Sequence, residues 1–291
     1  MDVYGLYKRN FPFTVRSKDD VMRILSGAEL FTESVGGRLA GAAAVSGGTV
    51  LMLCTDKEYR RRGIGSRLLL AAEDAVRRNG FAEVTVGKGE EYITPGVPTS
   101  KRYFPSVNEE LYKGLDESAG EFFEKRGYKH SEDCNIFDMR FSLENYAAEL
   151  NADSVIDGIA YRLARPEDRA AVCGCLDDAC PGFTEYYQGD FLYDDESGCR
   201  ALIALSGSTV AGALIAGVEY DDIGSIGCVA VRPAFRGRHI AVNLAKIGTR
   251  RLKETGMREA FLSYTYSGLD KMYGYAGYKI CVYYMMAKKR L

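Results

Sequence analysis

Two short basic segments carry the clearest chemistry in this chain. Arg60-Arg61-Arg62-Gly63-Ile64-Gly65-Ser66 and Arg236-Gly237-Arg238-His239-Ile240-Ala241-Val242 each follow an apolar run with strand character, and each opens an amphipathic helix. The first N–H groups of a helix lack intrahelical partners, and the helix dipole adds positive potential at that end. With arginines alongside, each segment suits an anionic phosphate. Glycine belongs in such a loop because a Cβ would obstruct close approach.

The surrounding elements are duplicated as well. Arg60 and Arg236 are 176 positions apart, as are Leu68 and Leu244 in the following helices and Gly80 and Gly256 at the helix ends. Upstream, Leu39-Ala40-Gly41-Ala42 matches Val210-Ala211-Gly212-Ala213 at an offset of 171. Downstream, the segment from Phe123 to Tyr128 matches that from Tyr273 to Tyr278 at an offset of 150. Five matches in one order argue for tandem domains.

With 291 residues, the chain has room for two domains that each bury a substantial core. A net charge of −2 argues against a broad nucleic-acid surface. No apolar run is long enough to span a bilayer, and the N-terminus lacks the apolar core of a signal peptide, so a cytoplasmic protein is expected. Of the eight cysteines, Cys173, Cys175 and Cys180 lie close together, but no CxxC pair exists. Neither His130 nor His239 has zinc-ligand spacing, so reduced thiols are expected and no metal.

The pattern predicts strand, helix, several strands, helix, strand, helix, strand in each half. In the first, Glu29–Val35 and Arg38–Val45 form a hairpin closed by Gly36-Gly37, followed by a strand over 49–55, a helix over about 65–78 and a strand over 82–86. In the second, Arg165-Pro166-Glu167-Asp168 starts a helix, with proline and two acids in its first turn. Residues 201–205 and 210–218 form a hairpin. The expected domains are residues 1–142 and 155–291, joined by a linker over 143–154. The first half carries about 26 extra residues near 88–114, including Tyr92, Tyr103 and Tyr112, and such inserts often form binding loops.

The motif Arg-x-x-Gly-x-Gly between a strand and a helix resembles the acetyl-coenzyme A signature of the GNAT superfamily of N-acetyltransferases. Residues 60–65 match it in full. The second loop has the fuller approach, Val231-Arg232-Pro233-Ala234-Phe235-Arg236, but carries His239 and Ala241 where the signature has glycine. The segments ending at Tyr128 and Tyr278 are similar to the family's closing Y-x-x-x-G-F. The tandem layout is similar to mycothiol synthase and to other bacterial double-domain acetyltransferases. The resemblance implies an α/β (α+β) fold of two tandem GNAT-type domains. Each would have a mixed, mostly antiparallel sheet with a splayed central strand pair, flanked by helices.

It also implies acetyl-CoA as the cofactor, direct attack by an amine in a ternary complex, and backbone amides near Leu53 and Thr55, or Val229 and Val231, facing the thioester. The loops 60–66 and 236–241 (Arg60, Arg61, Arg62, Gly63, Ile64, Gly65, Ser66; Arg236, Gly237, Arg238, His239, Ile240, Ala241) would hold the pyrophosphate. The family's general acid is often the tyrosine of the closing segment. Tyr273 stands there in the second half and Phe123 in the first, so the second domain is expected to catalyse. Glu219, beside Asp221 and Asp222, is the candidate base. Tyr92, Tyr103, Glu185, Tyr264 and Tyr266 are candidates for the acceptor pocket. The leading expectation is transfer to a primary amine of a small polar molecule (amino sugar, aminoglycoside-like amine or amino acid) by a monomer or homodimer. A non-catalytic acyl-CoA sensor or scaffold, and transfer to a protein or peptide amine, are the alternatives. A P-loop or dinucleotide-binding module is disfavoured because neither fingerprint is present.

Overall fold

The computed structural model describes residues 2–87, 93–105, 119–147 and 150–291. Their contacts divide the chain into two units. Residues 2–105, 119–137 and 281–291 belong to the first, and residues 138–280 to the second. Among the described residues no helix is long and apolar enough to cross a membrane.

The first unit begins with helix α1 (Val3–Asn10), where the sequence pattern had suggested a strand. Val3, Leu6 and Tyr7 form its buried face, and the Asp2 side chain accepts from the Gly5 N–H at 2.7 Å as an N-cap. Helix α2 (Lys18–Ser26) is capped by Ser17 in the same way. Strands β1 (Glu29–Val35) and β2 (Arg38–Ser46) form the expected hairpin, and Gly36 and Gly37 supply the left-handed φ values its turn requires. β3 (Thr49–Thr55) pairs antiparallel with β2.

Strand β2 is buried on both faces. Ala40, Ala43 and Val45 pack under helix α3 (Ile64–Arg78), while Ala42 and Ala44 pack against α1 and α2. A strand sandwiched in this way has space only for small side chains. At Gly41 a Cβ would come within 2.9 Å of both Ile64 Cγ2 and Leu68 Cδ1. Gly212 plays the same part in the second unit, where a Cβ would lie 3.2 Å from Ile240 Cγ2.

After β4 (Glu83–Val86) come β5 (Val97–Thr99), helix α4 (Gly120–Glu124) and β6 (Lys129–His130). The chain's final segment completes this unit. β15 (Ala287–Arg290) pairs antiparallel with β4 and β6, giving the sheet order β1-β2-β3-β4-β15-β6. Residues Tyr283–Met285, at the end of β14 (Lys279–Met285), pair with β5. The sequence reading placed all of 155–291 in one domain; the contacts group its last eleven residues with the first unit.

The second unit contains β7 (Ile136–Ser142) from Asp138 onward, β8 (Val155–Ile156), β9 (Ile159–Leu163), helix α5 (Arg169–Ala179), β10 (Arg200–Ser206), β11 (Thr209–Tyr220), β12 (Ile223–Val231), helix α6 (Ile240–Glu254), β13 (Glu259–Tyr266) and helix α7 (Asp270–Tyr275). Its strands run in the order β7-β13-β12-β11-β10-β9-β8. α5 covers one face over Ala213 and Ala230. α6 covers the other, with Gly248 letting it settle against Leu214 and Ile226.

Among the described residues the central parallel pairs are short: β3 and β4 are paired only at Thr49↔Thr85 and Val50↔Val86, and β12 and β13 only at Ile223↔Glu259 and Gly224↔Ala260. Beyond those rungs β12 and β13 come apart, and β3 and β12 lead directly into the two basic loops.

Candidate active sites

The loops share one backbone path. Arg61 and Gly63 adopt left-handed φ values of 63° and 80°, and Gly237 and His239, at the equivalent positions, adopt 80° and 57°. Each loop therefore turns through two left-handed residues and assigns its glycine to a different one. Gly63 and His239 are the N-cap residues of α3 and α6. In the first loop a Cβ on Gly63 would come within 2.8 Å of Arg67 Nη1. His239 keeps its side chain exposed and takes the strained conformation without glycine's freedom.

Arg60 and Arg236 have a structural use. Arg60 Nε donates to the Thr55 carbonyl at 3.0 Å, and Arg236 Nε donates to the Val231 carbonyl at 3.2 Å. Each guanidinium ties its loop to the end of the preceding strand. Arg61 and Arg62 are exposed beside the first helix end, and Arg62 stacks 5.5 Å from the Tyr59 ring centroid. Arg238 is exposed and donates to the Asp157 carbonyl at 3.0 Å. Ile64 and Ile240 face inward, packed beneath the sheets. Gly65 and Ala241 are half-buried in the first turns of α3 and α6. Ser66 accepts from Arg126 Nη2 at 2.7 Å, and that guanidinium lies 3.8 Å over the Phe122 ring.

Hydrogen bonding fixes which way the strand amides face. The Asp56 N–H donates to Ala40 O and the Arg232 N–H to Ala211 O, both toward the antiparallel neighbour. Strand amides alternate sides. The N–H groups of Leu53, Thr55 and Val231 therefore turn away from that neighbour; Val229 sits in a register irregularity of β12, where alternation alone does not fix its amide.

The two gaps differ in their lining. In the second unit Tyr273 is buried, and its electrostatic neighbours are Cys228 of β12 and Tyr266 of β13. Burial, reinforced by those neighbours, raises its phenol pKa and keeps the proton on the oxygen. In the first unit Phe123 occupies the corresponding place in the core, edge-on to Tyr128 at 5.2 Å. The two splayed strands of the second unit each carry a left-handed residue with a side chain, Cys228 (φ 49°) and Tyr264 (φ 54°). Asp138, buried, holds Tyr264 in place by accepting its N–H at 2.9 Å. β3 and β4 contain no such residue.

The remaining candidates are spread more widely. Tyr264 is half-buried and Tyr266 exposed, both on β13. Glu185 is exposed in the 3-10 turn after α5. Glu219 is exposed near the far end of β11, two residues before its turn and level with the paired base of β12. Tyr103 belongs to the first unit, stacked on His130 at 4.2 Å with its hydroxyl on Glu124. Tyr92, with Tyr112, lies outside the described residues. Cys228, Asp138 and Arg126 escaped sequence reasoning, and Tyr187 was read only as part of the segment around Glu185. Nothing in the local pattern of the first three marks them, because Asp138 and Arg126 bond residues 126 and 60 positions away and Cys228 acts through backbone conformation.

Known families share these features. Residues 27–130 match the profile of the Acetyltransferase (GNAT) domain, and residues 160–275 that of the Acetyltransferase (GNAT) family. Among solved structures, a GCN5-related N-acetyltransferase from Sphaerobacter thermophilus is similar, with a TM-score of 0.68 and 20% identity over 99% of this chain and 91% of that one. A tandem GNAT protein from the clavulanic acid biosynthesis pathway has a TM-score of 0.62 and 17% identity over 94% and 87%. A GCN5-related glucosamine N-acetyltransferase region of a fungal multi-domain GH3 β-N-acetylglucosaminidase has a TM-score of 0.65 and 20% identity; the match covers 98% of this chain and 36% of that longer one. No curated protein matches the chain significantly. The duplicated loops and the two profile matches lead to one conclusion: this chain is a tandem of two GNAT-family acetyltransferase domains.

Proposed function

We propose that the second domain transfers an acetyl group from acetyl-CoA to a primary amine of a small polar molecule, and that the first binds acetyl-CoA without turning it over. The observation that carries this reading is the buried Tyr273 hydroxyl beside the β12 irregularity, where the first domain has Phe123 in its core. The loops fit a pyrophosphate: their left-handed turns open onto solvent, arginines flank them, and the first amides of α3 and α6 lack helical partners.

Bound acetyl-CoA supplies an activated acetyl thioester. The loop residues 61–66 and 237–241 would hold its phosphates. The Val229 and Val231 N–H groups would donate to an oxygen that gains negative charge during transfer, and fixed donors of this kind are effective in a water-poor gap. Tyr273 Oη holds a proton for a departing thiolate. Glu219 is our candidate to take the amine's proton, and from its place level with the paired base of β12 it would do so only through a chain of waters. Tyr264, Tyr266 and Glu185 are the candidate acceptor contacts. An amino sugar is the first acceptor to try, because a structural relative that matches over 98% of this chain contains a region described as a glucosamine N-acetyltransferase.

Thiol release from acetyl-CoA in the presence of glucosamine and a panel of small amines tests the proposal. Tyr273→Phe lowers kcat by about 100-fold, within the range of a lost general acid, with acetyl-CoA binding retained. Unchanged turnover would remove Tyr273 from the mechanism. Binding of acetyl-CoA without release on any amine would favour a sensor.

A further inference from the structure

We propose that Tyr187 is a positioning residue: by holding the Cys228 carbonyl, its hydroxyl aims the Val229 N–H into the gap between β12 and β13. The inference rests on the reading of the second domain as the transferring one and adds a residue to its machinery.

Tyr187 is fully buried, and its Oη donates to Cys228 O at 2.9 Å. The acceptor is one end of a peptide unit whose other end is the Val229 N–H. The unit is planar and trans, so its C=O and N–H point in opposite directions, and fixing the carbonyl fixes the amide. The peptide needs such a fixture because the sheet does not supply one. Gly227 pairs with Ile215 and Ala230 with Ala213, which leaves Cys228 and Val229 together opposite Leu214. Two residues against one make a bulge, where ladder bonding is interrupted. Cys228 also sits at φ 49°, which a residue with a side chain keeps only when its surroundings hold it there.

Tyr187 is itself braced, since Tyr193 Oη donates to its carbonyl at 2.9 Å. Burial keeps the Tyr187 phenol protonated and therefore a donor. A hydrogen bond to a carbonyl also polarises the peptide and strengthens the N–H at its other end. The first domain has the corresponding β3 irregularity near Leu51, but no residue between Gly47 and Arg61 has a positive φ.

The test uses the full-length protein and the probe acetyl-CoA labelled with 13C at the acetyl carbonyl. In the free protein, Tyr187→Phe moves the 15N resonance of the Val229 amide upfield, as expected when its peptide carbonyl loses a donor. In the complex, the wild type shows a carbonyl infrared band shifted to lower frequency, and the variant loses the part that comes from the second domain. Tyr187 belongs to the second unit and bonds its β12, so the difference spectrum reports on that unit. Turnover with glucosamine, or with whichever amine is active, falls about tenfold, the size of one lost buried hydrogen bond, at unchanged KM for acetyl-CoA. Adding Cys228→Gly restores the infrared shift, because glycine holds the left-handed φ without a brace. An unmoved Val229 resonance with an unchanged infrared band would overturn the inference. So would a loss matched by falling acetyl-CoA affinity and melting temperature that glycine does not rescue, which marks a purely structural tyrosine. A wild type with no shifted carbonyl band would instead overturn the reading of the second domain itself; the free-protein resonance still tests the brace.

Discussion

Glu73 is a carboxylate with a side chain 4% exposed, on the buried face of α3. It accepts from Tyr128 Oη at 3.0 Å and from Lys289 Nζ, on the chain's last strand, at 2.9 Å. Arg77 Nη2 stands 4.0 Å away. The second domain builds the same spot without charge. Thr249 replaces Glu73, and its hydroxyl meets Tyr278 Oη at 2.9 Å and donates to Ala245 O. This internal copy supplies its own control. Lys289→Met leaves the carboxylate buried with Tyr128 and a distant arginine. Removing one partner of a fully buried pair costs about 3–5 kcal/mol. Lys289 is 25% exposed and Arg77 remains in range, so about 2 kcal/mol is the expected loss here.

Urea unfolding followed by circular dichroism measures that loss. With a slope of about 2 kcal/mol per molar, the first domain's midpoint falls by about 1 M. Hydrogen exchange in β4 and β15 assigns the transition to that domain. Glu73→Thr, which copies the second domain, loses less than Lys289→Met, because Tyr128 keeps a hydroxyl partner and Lys289 reaches water. The double variant recovers most of the single lysine loss, a coupling that independent sites would not show. The reasoning fails if Lys289→Met is as stable as the wild type, or if the double variant is less stable than Lys289→Met alone.

Two further outcomes are expected. Burial pushes the Cys228 thiol up to about 11, with Cys180 and Cys199 adding to the shift. At pH 8 its thiolate fraction is then about one in a thousand; peptide mass spectrometry should find slow alkylation by iodoacetamide that speeds up about tenfold per pH unit, and rapid labelling at pH 8 would contradict the buried placement. The Arg162 guanidinium lowers the pKa of Asp168, which also accepts the Arg165 N–H at 2.7 Å ahead of α5. A depressed carboxylate pKa contributes stability above its unfolded value of 3.8, and that contribution is lost as pH falls through the folded value. Asp168→Asn should therefore cost about 1–2 kcal/mol at pH 7, and the gap to the wild type should close in acid; a gap independent of pH would assign the cost to packing.

The two basic strand–loop–helix segments were legible because their signal is local: glycines, arginines and an amphipathic helix lie within some twenty residues. The hairpin at Gly36-Gly37 and the order of the central strands were legible for the same reason. The destination of the last strand was not. The stretch from Lys279 to Leu291 is a nearly continuous apolar run ending in Lys288-Lys289-Arg290, and nothing in it marks the break at Met286 or the pairing of Ala287 with Val86. The initial helix was missed although Val3, Leu6 and Tyr7 share a face, because eight residues give little periodicity. Arg60 and Arg236 look like phosphate ligands in sequence, since a long cationic side chain beside a loop can turn toward an anion or a carbonyl; only the fold shows Thr55 O and Val231 O within reach. The left-handed Cys228 and Tyr264 carry no glycine to announce them.

What separates the domains is where each one tolerates cost. The first has its glycine at the N-cap of α3, an apolar Phe123 packed on Tyr128, and no strained residue in its splayed strands. The second holds Cys228 and Tyr264 left-handed in the strands and a buried phenol at Tyr273, whereas the loops are balanced, with Arg61 left-handed in one and His239 in the other. Each of those positions costs on the order of 1 kcal/mol or more. Random drift would scatter such costs over loops and surface. In the second domain Cys228, Tyr264 and Tyr273 instead lie around one strand gap, each held by a partner of its own: Tyr187 for Cys228, Asp138 for Tyr264, and the core ring of Tyr278 for Tyr273. Strain that is both concentrated and braced is what selection for a reaction leaves behind. On the proposed division of labour, a domain kept only for binding acetyl-CoA could relax such strain, and the splayed strands of the first domain hold no left-handed residue.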